Sequence, residues 1–550
     1  MKSSSGYSTL LLPGQLRLIL AISLVHIVVW FSYYSQLPAG QYLGTEARDT
    51  LEAAQALAIG LPTQDSSHTL YTYILSFLAR FFESDQNLIT AARVLNASAL
   101  ILTTGYCASA AGRYWRRNRT VWIAGLLVGL NPVLVFWAGQ ISPSLLATAC
   151  ISIALWRAQR WLRRPKIRDS IGVSIFLTLS AALETSLLPL TLIWPVLAYF
   201  YPYRKRVQHC TLAWLPTTLL LGLILVSSWQ LESPLQWHFK QIGVGIYQAL
   251  GNLEGYDGKS FALYRELHLI LLFNPIHWGL LFILAGMGMY ARLKDGHRGD
   301  YILLAISTLA IFAISSGLNE AGSQARATMI PLLAIFASGA SMLPKIWRKA
   351  STRTRRKIQV GVVLLALFVY AGHFLQEQSQ TWERDYTYLA EANIQLGNND
   401  RATTWAEKAL ELSPANQKMQ EVIAMAQFND WAMGTRQRGL LIEDIQDYLK
   451  NSQVQEATAT TQTIYAIYKY KLRDLEAAVT IWELQQENSA LARLCLYWTG
   501  QILEVTPGQL KSHTGQPYYD LLKAATKVDR NELDYGKTEK QLDNILAFAY

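Results

Sequence analysis

Two carboxylates, Glu46 and Asp49, stand three residues apart in the stretch Gly44-Thr45-Glu46-Ala47-Arg48-Asp49-Thr50-Leu51-Glu52, ahead of the helix-forming run Ala53–Ala58 and the breaker Gly60-Leu61-Pro62. Residues three and four apart share one face of a helix, so Glu46, Asp49 and Ala53 line up and the two acids point the same way. Carboxylates are the side chains that take a proton from a reacting hydroxyl. Cations suited to an anion lie far along the chain: Lys240, Lys259 and Arg265 in one polar segment, and Arg326 at the very start of an apolar stretch. An arginine at such a depth favours a phosphate or a carboxylate as partner. Glu184 is a third acid, inside a hydrophobic stretch where it is costly unless paired or close to a surface. Each has a plainer reading: the acids as a solvated helix face, Arg326 as a headgroup anchor, the other cations as surface charges. His68, His238 and Trp237 receive no role, because a lone loop histidine is usually structural.

These groups need a scaffold, and composition says which kind. Of 550 residues 51% are hydrophobic and 16% charged, with mean hydropathy +0.15, too apolar for an ordinary soluble chain and unlike a disordered or nucleic-acid-binding one. The net charge of +10 is unevenly spread. Residues 1–376 hold about 32 basic and 15 acidic side chains and residues 377–550 about 17 and 24, which suggests a basic membrane domain (1–376) followed by an acidic soluble one (377–550). The cysteines Cys107, Cys150, Cys210 and Cys495 show neither metal spacing nor a pair in the soluble part.

A run of roughly 20 apolar residues crosses a bilayer core. About eleven such runs are expected, near 17–37, 90–112, 120–139, 142–161, 170–186, 188–202, 210–229, 267–290, 301–317, 326–344 and 358–376. The fifth and sixth are short and could be one bent element. The first is too long for a cleaved leader and has no small-residue cleavage site. Basic clusters at Arg113–Arg119, Arg157–Arg168, Arg204–Arg206, Arg292–Arg298 and Lys345–Lys357 fall in every second loop. Basic loops stay in the cytoplasm, so the N-terminus is inside; an odd span number then puts residues from about 377 outside, in the periplasm of a Gram-negative bacterium. The clusters read as topology signals rather than as lipid or nucleic-acid sites.

The first outer loop, 38–89, is the longest and most polar. Its second half, Thr69–Phe82, reads as an amphipathic helix on the membrane interface, with Tyr71 and Tyr73 at headgroup depth. The outer loop 230–266 contains Gly243-Val244-Gly245, but no βαβ context supports dinucleotide binding. The sequons at Asn96 and Asn118 fall in a span and an inner loop and are discounted. Beyond the membrane part, residues 383–416 fit a 34-residue tetratricopeptide repeat (TPR), with Tyr386, Leu389, Ala390, Gly397, Ala402, Ala406, Ala409 and Pro414 in its expected places, and a degenerate unit follows near 458–491. Repeats of this kind hold a protein or peptide, and need neighbours to bury their faces.

The order of these features resembles the GT-C superfamily of integral-membrane glycosyltransferases, of the protein mannosyltransferase and lipid A aminoarabinose transferase type. The resemblance covers roughly 15–376. It rests on the acidic motif at Glu46 and Asp49, on Ala92-Arg93-Val94-Leu95, on Gly129-Leu130-Asn131-Pro132 with Phe136-Trp137-Ala138-Gly139-Gln140-Ile141-Ser142-Pro143, and on Gln324-Ala325-Arg326-Ala327-Thr328-Met329-Ile330-Pro331-Leu332. It implies an all-α fold, a polytopic helical bundle followed by a soluble helical-repeat domain. It also implies inverting transfer of a sugar from a polyprenyl-phosphate donor on the outer face. Glu46 or Asp49 would be the base or a ligand of a divalent metal, Mg or Mn, and Arg326, Lys240, Lys259 and Arg265 the phosphate contacts, with membrane lipids and a protein or peptide as further partners. The chain departs from the family pattern in three places: the adjacent Asp-Glu pair is Thr45-Glu46, no Lys-Pro-Pro follows the first loop helix, and Ala327 replaces a tyrosine. Those departures support a second reading, a non-catalytic scaffold whose repeats assemble a complex. A third, an O-antigen polymerase or ligase, fits less well because such chains carry their large outer loop late.

Overall fold

Residues 13–34 hold one charged side chain, Arg17, and backbone N–H and C=O groups in hydrocarbon must be satisfied within the segment, which only a helix does for a single run. The segment forms α1 (Pro13–Tyr34), with proline at its first position, where a missing N–H costs nothing. The computed structural model describes residues 13–37, 45–60, 70–82, 84–184, 187–200, 261–294, 323–371, 382–416 and 475–486, with isolated residues between them. Among these every element is helical and no strand occurs.

Within the segment 38–89, expected as an outer loop, stand α2 (Thr45–Ala58), followed by Gly60 at φ 75°, and α3 (Leu70–Ala79), which packs against it. The expected interfacial placement of both tyrosines is corrected: Tyr73 is half exposed, but Tyr71 is 1% exposed. Its aromatic ring faces the protein because α3 packs against the next helix, α4 (Asp85–Trp115), rather than lying free on the interface. The 31 residues of α4 start at Ser84, whose Oγ accepts the Asn87 N–H at 3.2 Å, with Asp85 beside the positive helix end. The helix stops at Arg116, whose φ of 55° is left-handed.

The run 120–139, expected as one span, is a pair bent by 48°: α5 (Asn118–Gly129) and α6 (Pro132–Ala138). Pro132 cannot continue the preceding helix, and Asn131 starts a new one by accepting the N–H groups of Val133 and Leu134 at 3.0 and 3.3 Å. The carbonyl of Leu130, freed at the bend, accepts a hydrogen bond from Asn274 Nδ2 at 2.7 Å. After α7 (Ser144–Arg163) come α8 (Ile167–Leu183) and α9 (Leu190–Phe200), two helices broken at Glu184 to Pro189.

The expected span 267–290 is also interrupted. α10 (Phe261–Leu267) and the single turn α11 (Leu269–Leu272) precede α12 (Trp278–Lys294), and Phe273 to His277 form no helix. Pro275 biases Asn274 away from helical backbone, and Asn274 Oδ1 accepts the Ile276 N–H at 3.0 Å. Then follow α13 (Ser323–Ala327), α14 (Ile330–Ala337), a 3₁₀ turn (Ser338–Met342), α15 (Leu343–Lys349) and α16 (Thr352–Tyr370). Residues 14–34, 85–115 and 330–348 are helices long and apolar enough to cross a membrane, four counting the bent pair. The expected spans 210–229 and 301–317 lie largely outside the described residues. The chain is thus an all-helical bundle with several membrane-length helices.

Contacts divide the chain into two units, 1–36 with 44–381, and 37–43 with 382–550. In the second, α17 (Glu383–Gln395) and α18 (Asn399–Leu412) pack together across a turn at Gly397, φ 73°. Ala390, Ala392, Ala402, Ala406 and Ala409 are fully buried, and small side chains there let the two backbones approach. The Tyr386 and Trp405 rings stack at 5.6 Å, and the Lys408 ammonium lies 4.5 Å from the Trp405 ring centre. A further helix, α19 (Leu475–Gln485), buries Ala478 and Trp482.

Candidate functional site

The N-terminal part of α4 fastens elements distant in sequence. Gln55 Nε2 of α2 donates to Asp85 Oδ1 at 2.6 Å. One and two turns beyond Leu88, Arg93 Nε donates to the Gly139 carbonyl at 3.0 Å and Asn96 Nδ2 to the Gln140 carbonyl at 2.8 Å, tying α4 to the end of α6. Gln140 Nε2 then donates to the Tyr34 hydroxyl of α1 at 2.7 Å. From α6, Trp137 Nε1 donates to Ser323 Oγ at 3.0 Å, which fixes α13, the short helix that carries Arg326.

Arg326 is only 4% exposed, and its guanidinium lies 5.4 Å from the ring centre of Trp278. A desolvated guanidinium over an indole face is held in plane by the ring quadrupole. Trp278 opens α12, with Nε1 donating to the Leu250 carbonyl at 3.3 Å. Beside it His277 Nδ1 accepts the Leu280 N–H at 3.2 Å and sits 3.4 Å from the Tyr370 hydroxyl. Arg265 of α10 is within electrostatic reach of both His277 and Tyr370. Its buried Nε has no hydrogen-bond partner among the described residues. One guanidinium thus stacks on the indole while a second acts electrostatically on the imidazole, and cations of this kind are able to pair with a phosphate. A second polar group joins α1 to the entry of α11: the Tyr33 hydroxyl is 3.3 Å from His268 Nδ1, and the His268 ring meets Trp30 edge-on, itself stacked on Tyr34.

No protein-family model matches the chain, and no curated protein matches it. Among solved structures it is similar to ArnT from Cupriavidus metallidurans bound to undecaprenyl phosphate, at TM-score 0.39 and 15% identity, over 76% of this chain and 74% of that one. At that grade of likeness no residue role passes from one chain to the other.

The residues named from the sequence divide as follows. Arg326 stacks on Trp278, and Arg265 acts electrostatically on the adjoining His277. Asp49 is exposed on α2, and Glu46 belongs to the same helix, its side chain outside the described residues. Lys240 and Lys259 lie outside the described residues. Glu184 closes α8, half-buried, with its N–H donating to the Ser180 carbonyl. No three His, Cys, Asp or Glu side chains converge among the described residues, so none is assigned here to a divalent ion. Sequence reasoning missed His277, Trp278, Tyr370, Tyr33 and His268. The one signal for the first two was the polar break Asn274-Pro275-Ile276-His277 inside a run read as continuous.

Proposed function

We propose that the chain is a GT-C-type glycosyltransferase that moves a sugar from a polyprenyl-phosphate donor to an envelope acceptor at the periplasmic face of a bacterial inner membrane. The observation that supports it best is the line of bonds Gln55–Asp85, Arg93–Gly139 and Trp137–Ser323, which gathers the acidic helix α2 and the Arg326 helix α13 at one end of α4. In this reading Glu46 or Asp49 takes the proton of the acceptor hydroxyl. The freed oxygen attacks the anomeric carbon from the face opposite the phosphate, and the sugar–phosphate bond breaks with its electrons leaving on the phosphate oxygen. Arg326 and Arg265 neutralise that developing charge, and the burial of Arg326 strengthens such pairing. Lys240 and Lys259 are further phosphate contacts in this proposal. A divalent ion on Glu46 and Asp49 would supply the same neutralisation; no step here depends on it.

In the same reading residues 1–376 form the transferase domain with its N-terminus in the cytoplasm. Residues 377–550 form a periplasmic TPR-like domain that presents a protein or peptide acceptor or partner. The test is transfer by the purified protein from a pool of polyprenyl-phosphate sugars to envelope acceptors, followed by mass spectrometry of the products. Loss of product in Glu46→Gln, with insertion and folding intact, supports the reading; full turnover in both Glu46→Gln and Asp49→Asn removes the carboxylates from it.

A second reading, a membrane scaffold, is favoured by the exposure of Asp49 and by the α17–α18 pair. It predicts a strong phenotype on deleting residues 383–550 and none from either carboxylate variant.

A further inference from the structure

Arg93 and Arg113 lie on the same unbroken helix, α4, twenty residues apart, or about 30 Å at 1.5 Å per residue. That is the thickness of a bilayer core. Arg113 therefore marks the end of the bundle opposite the candidate site, read above as the cytoplasmic one. There the arginines are not spread over loops as a topology signal alone requires. They converge from three helices, α4, α7 and α12, onto aromatic faces.

Arg113 of α4 and Arg160 of α7 both lie over Trp156, with guanidinium carbons 4.9 and 4.8 Å from its centre. Arg163 Nη2 donates to the Arg113 carbonyl. Arg292, at the far end of α12, stacks 4.6 Å over Tyr114 and 5.6 Å over Trp115, the residues that follow Arg113. Arg157 lies over Phe176 of α8 at 5.8 Å. Against these five cations the described residues supply one carboxylate, Asp169, which approaches Arg157 at 3.7 Å and Arg160 at 3.6 Å. Both distances exceed a hydrogen bond, and the buried Arg157 Nε has no hydrogen-bond partner among the described residues. Charge retention in the cytoplasm would be served equally by solvated lysines. Half-buried guanidiniums stacked on Trp and Tyr, with N–H groups only partly engaged by the Arg113 carbonyl and by Asp169, suit a bidentate oxyanion.

We propose that Arg113, Arg157, Arg160, Arg163 and Arg292 form a site for the phosphate of an anionic phospholipid head group in the bordering leaflet, independent of the transfer site at the other end. The surplus of four positive charges fits a lipid that presents two phosphates, such as cardiolipin.

The test uses the full-length protein in neutral detergent, with cardiolipin or phosphatidylcholine added, read by thermal unfolding and by native mass spectrometry. Cardiolipin should raise the unfolding temperature above that in phosphatidylcholine and remain bound. Arg163→Gln with Arg292→Gln should bind it about thirtyfold more weakly, on the scale of the loss per basic residue at an anionic surface. Arg292→Lys should lose less than Arg292→Gln. Equal response of the wild type to both lipids overturns the proposal, and does so even if the double variant fails to fold. So does unchanged cardiolipin retention in a folded double variant. Stabilisation by millimolar inorganic pyrophosphate that displaces cardiolipin would assign the site to a soluble phosphate and overturn the lipid assignment.

Discussion

The indole N–H of Trp137 is spent on Ser323 Oγ, 186 residues away, and both partners are buried. This bond joins the bent helix α6 to the five-residue α13, which is too short to be stable by itself and takes its position from its neighbours. Ser323→Ala would leave a buried indole donor unsatisfied, at about 1–3 kcal/mol. The expected result is a lower unfolding temperature in detergent and a weaker response to donor lipid, since Arg326 sits on the same turn; an unchanged protein in both respects would show that α13 is held by other contacts.

Arg326 offers a sharper test of the phosphate role. Arg326→Lys keeps the charge but gives up the planar fork and the stack on Trp278. In a working transfer assay the KM for the donor should rise about tenfold, the cost of one charge-assisted hydrogen bond, with kcat falling less. Arg326→Gln should be worse than Arg326→Lys. Equal effects would mean that the stacking geometry, and not the charge, is what matters.

Gly288 of α12 faces the backbone of α14, and a Cβ there would sit 1.8 Å from the Phe336 carbonyl oxygen. Backbone cannot swing aside as a side chain can. Gly288→Ala should destabilise the membrane unit by about 3 kcal/mol, seen as reduced yield and a lower unfolding temperature. Gly361→Ala is the control, because a Cβ at Gly361 meets nothing within 4 Å.

Gly397 tests the α17–α18 turn separately. Its φ of 73° is left-handed, where a side chain costs about 1–2 kcal/mol. Gly397→Ala should speed amide exchange across 383–412 by about tenfold while leaving exchange in α4 unchanged.

How much of this was legible from sequence follows from where each constraint is stored. The helix over 90–112 announces itself by composition and extends by a few residues at each end to Ser84 and Arg116, whose local chemistry sets the limits. Arg326 was legible as a charge placed where charges are costly. The break at Pro275 was not, because an average of hydropathy over twenty residues is barely lowered by Asn274 and His277 among leucines. Trp278, His277 and Tyr370 could not be joined in advance, since their meeting depends on α12 and α16 packing, 93 residues apart. Tyr71 illustrates the opposite failure: its composition suits an interface, and only the packing of α3 against α4 turns it inward.

The bend between α5 and α6 has a consequence in time. The Leu130 carbonyl that it frees is satisfied by Asn274, which is made 144 residues later. At a translation rate of about 5–20 residues per second, roughly 7–29 s of synthesis separate the two. Through that interval the acceptor at the bend has to be met by something other than Asn274, so the early helix pair is completed only by a residue made late.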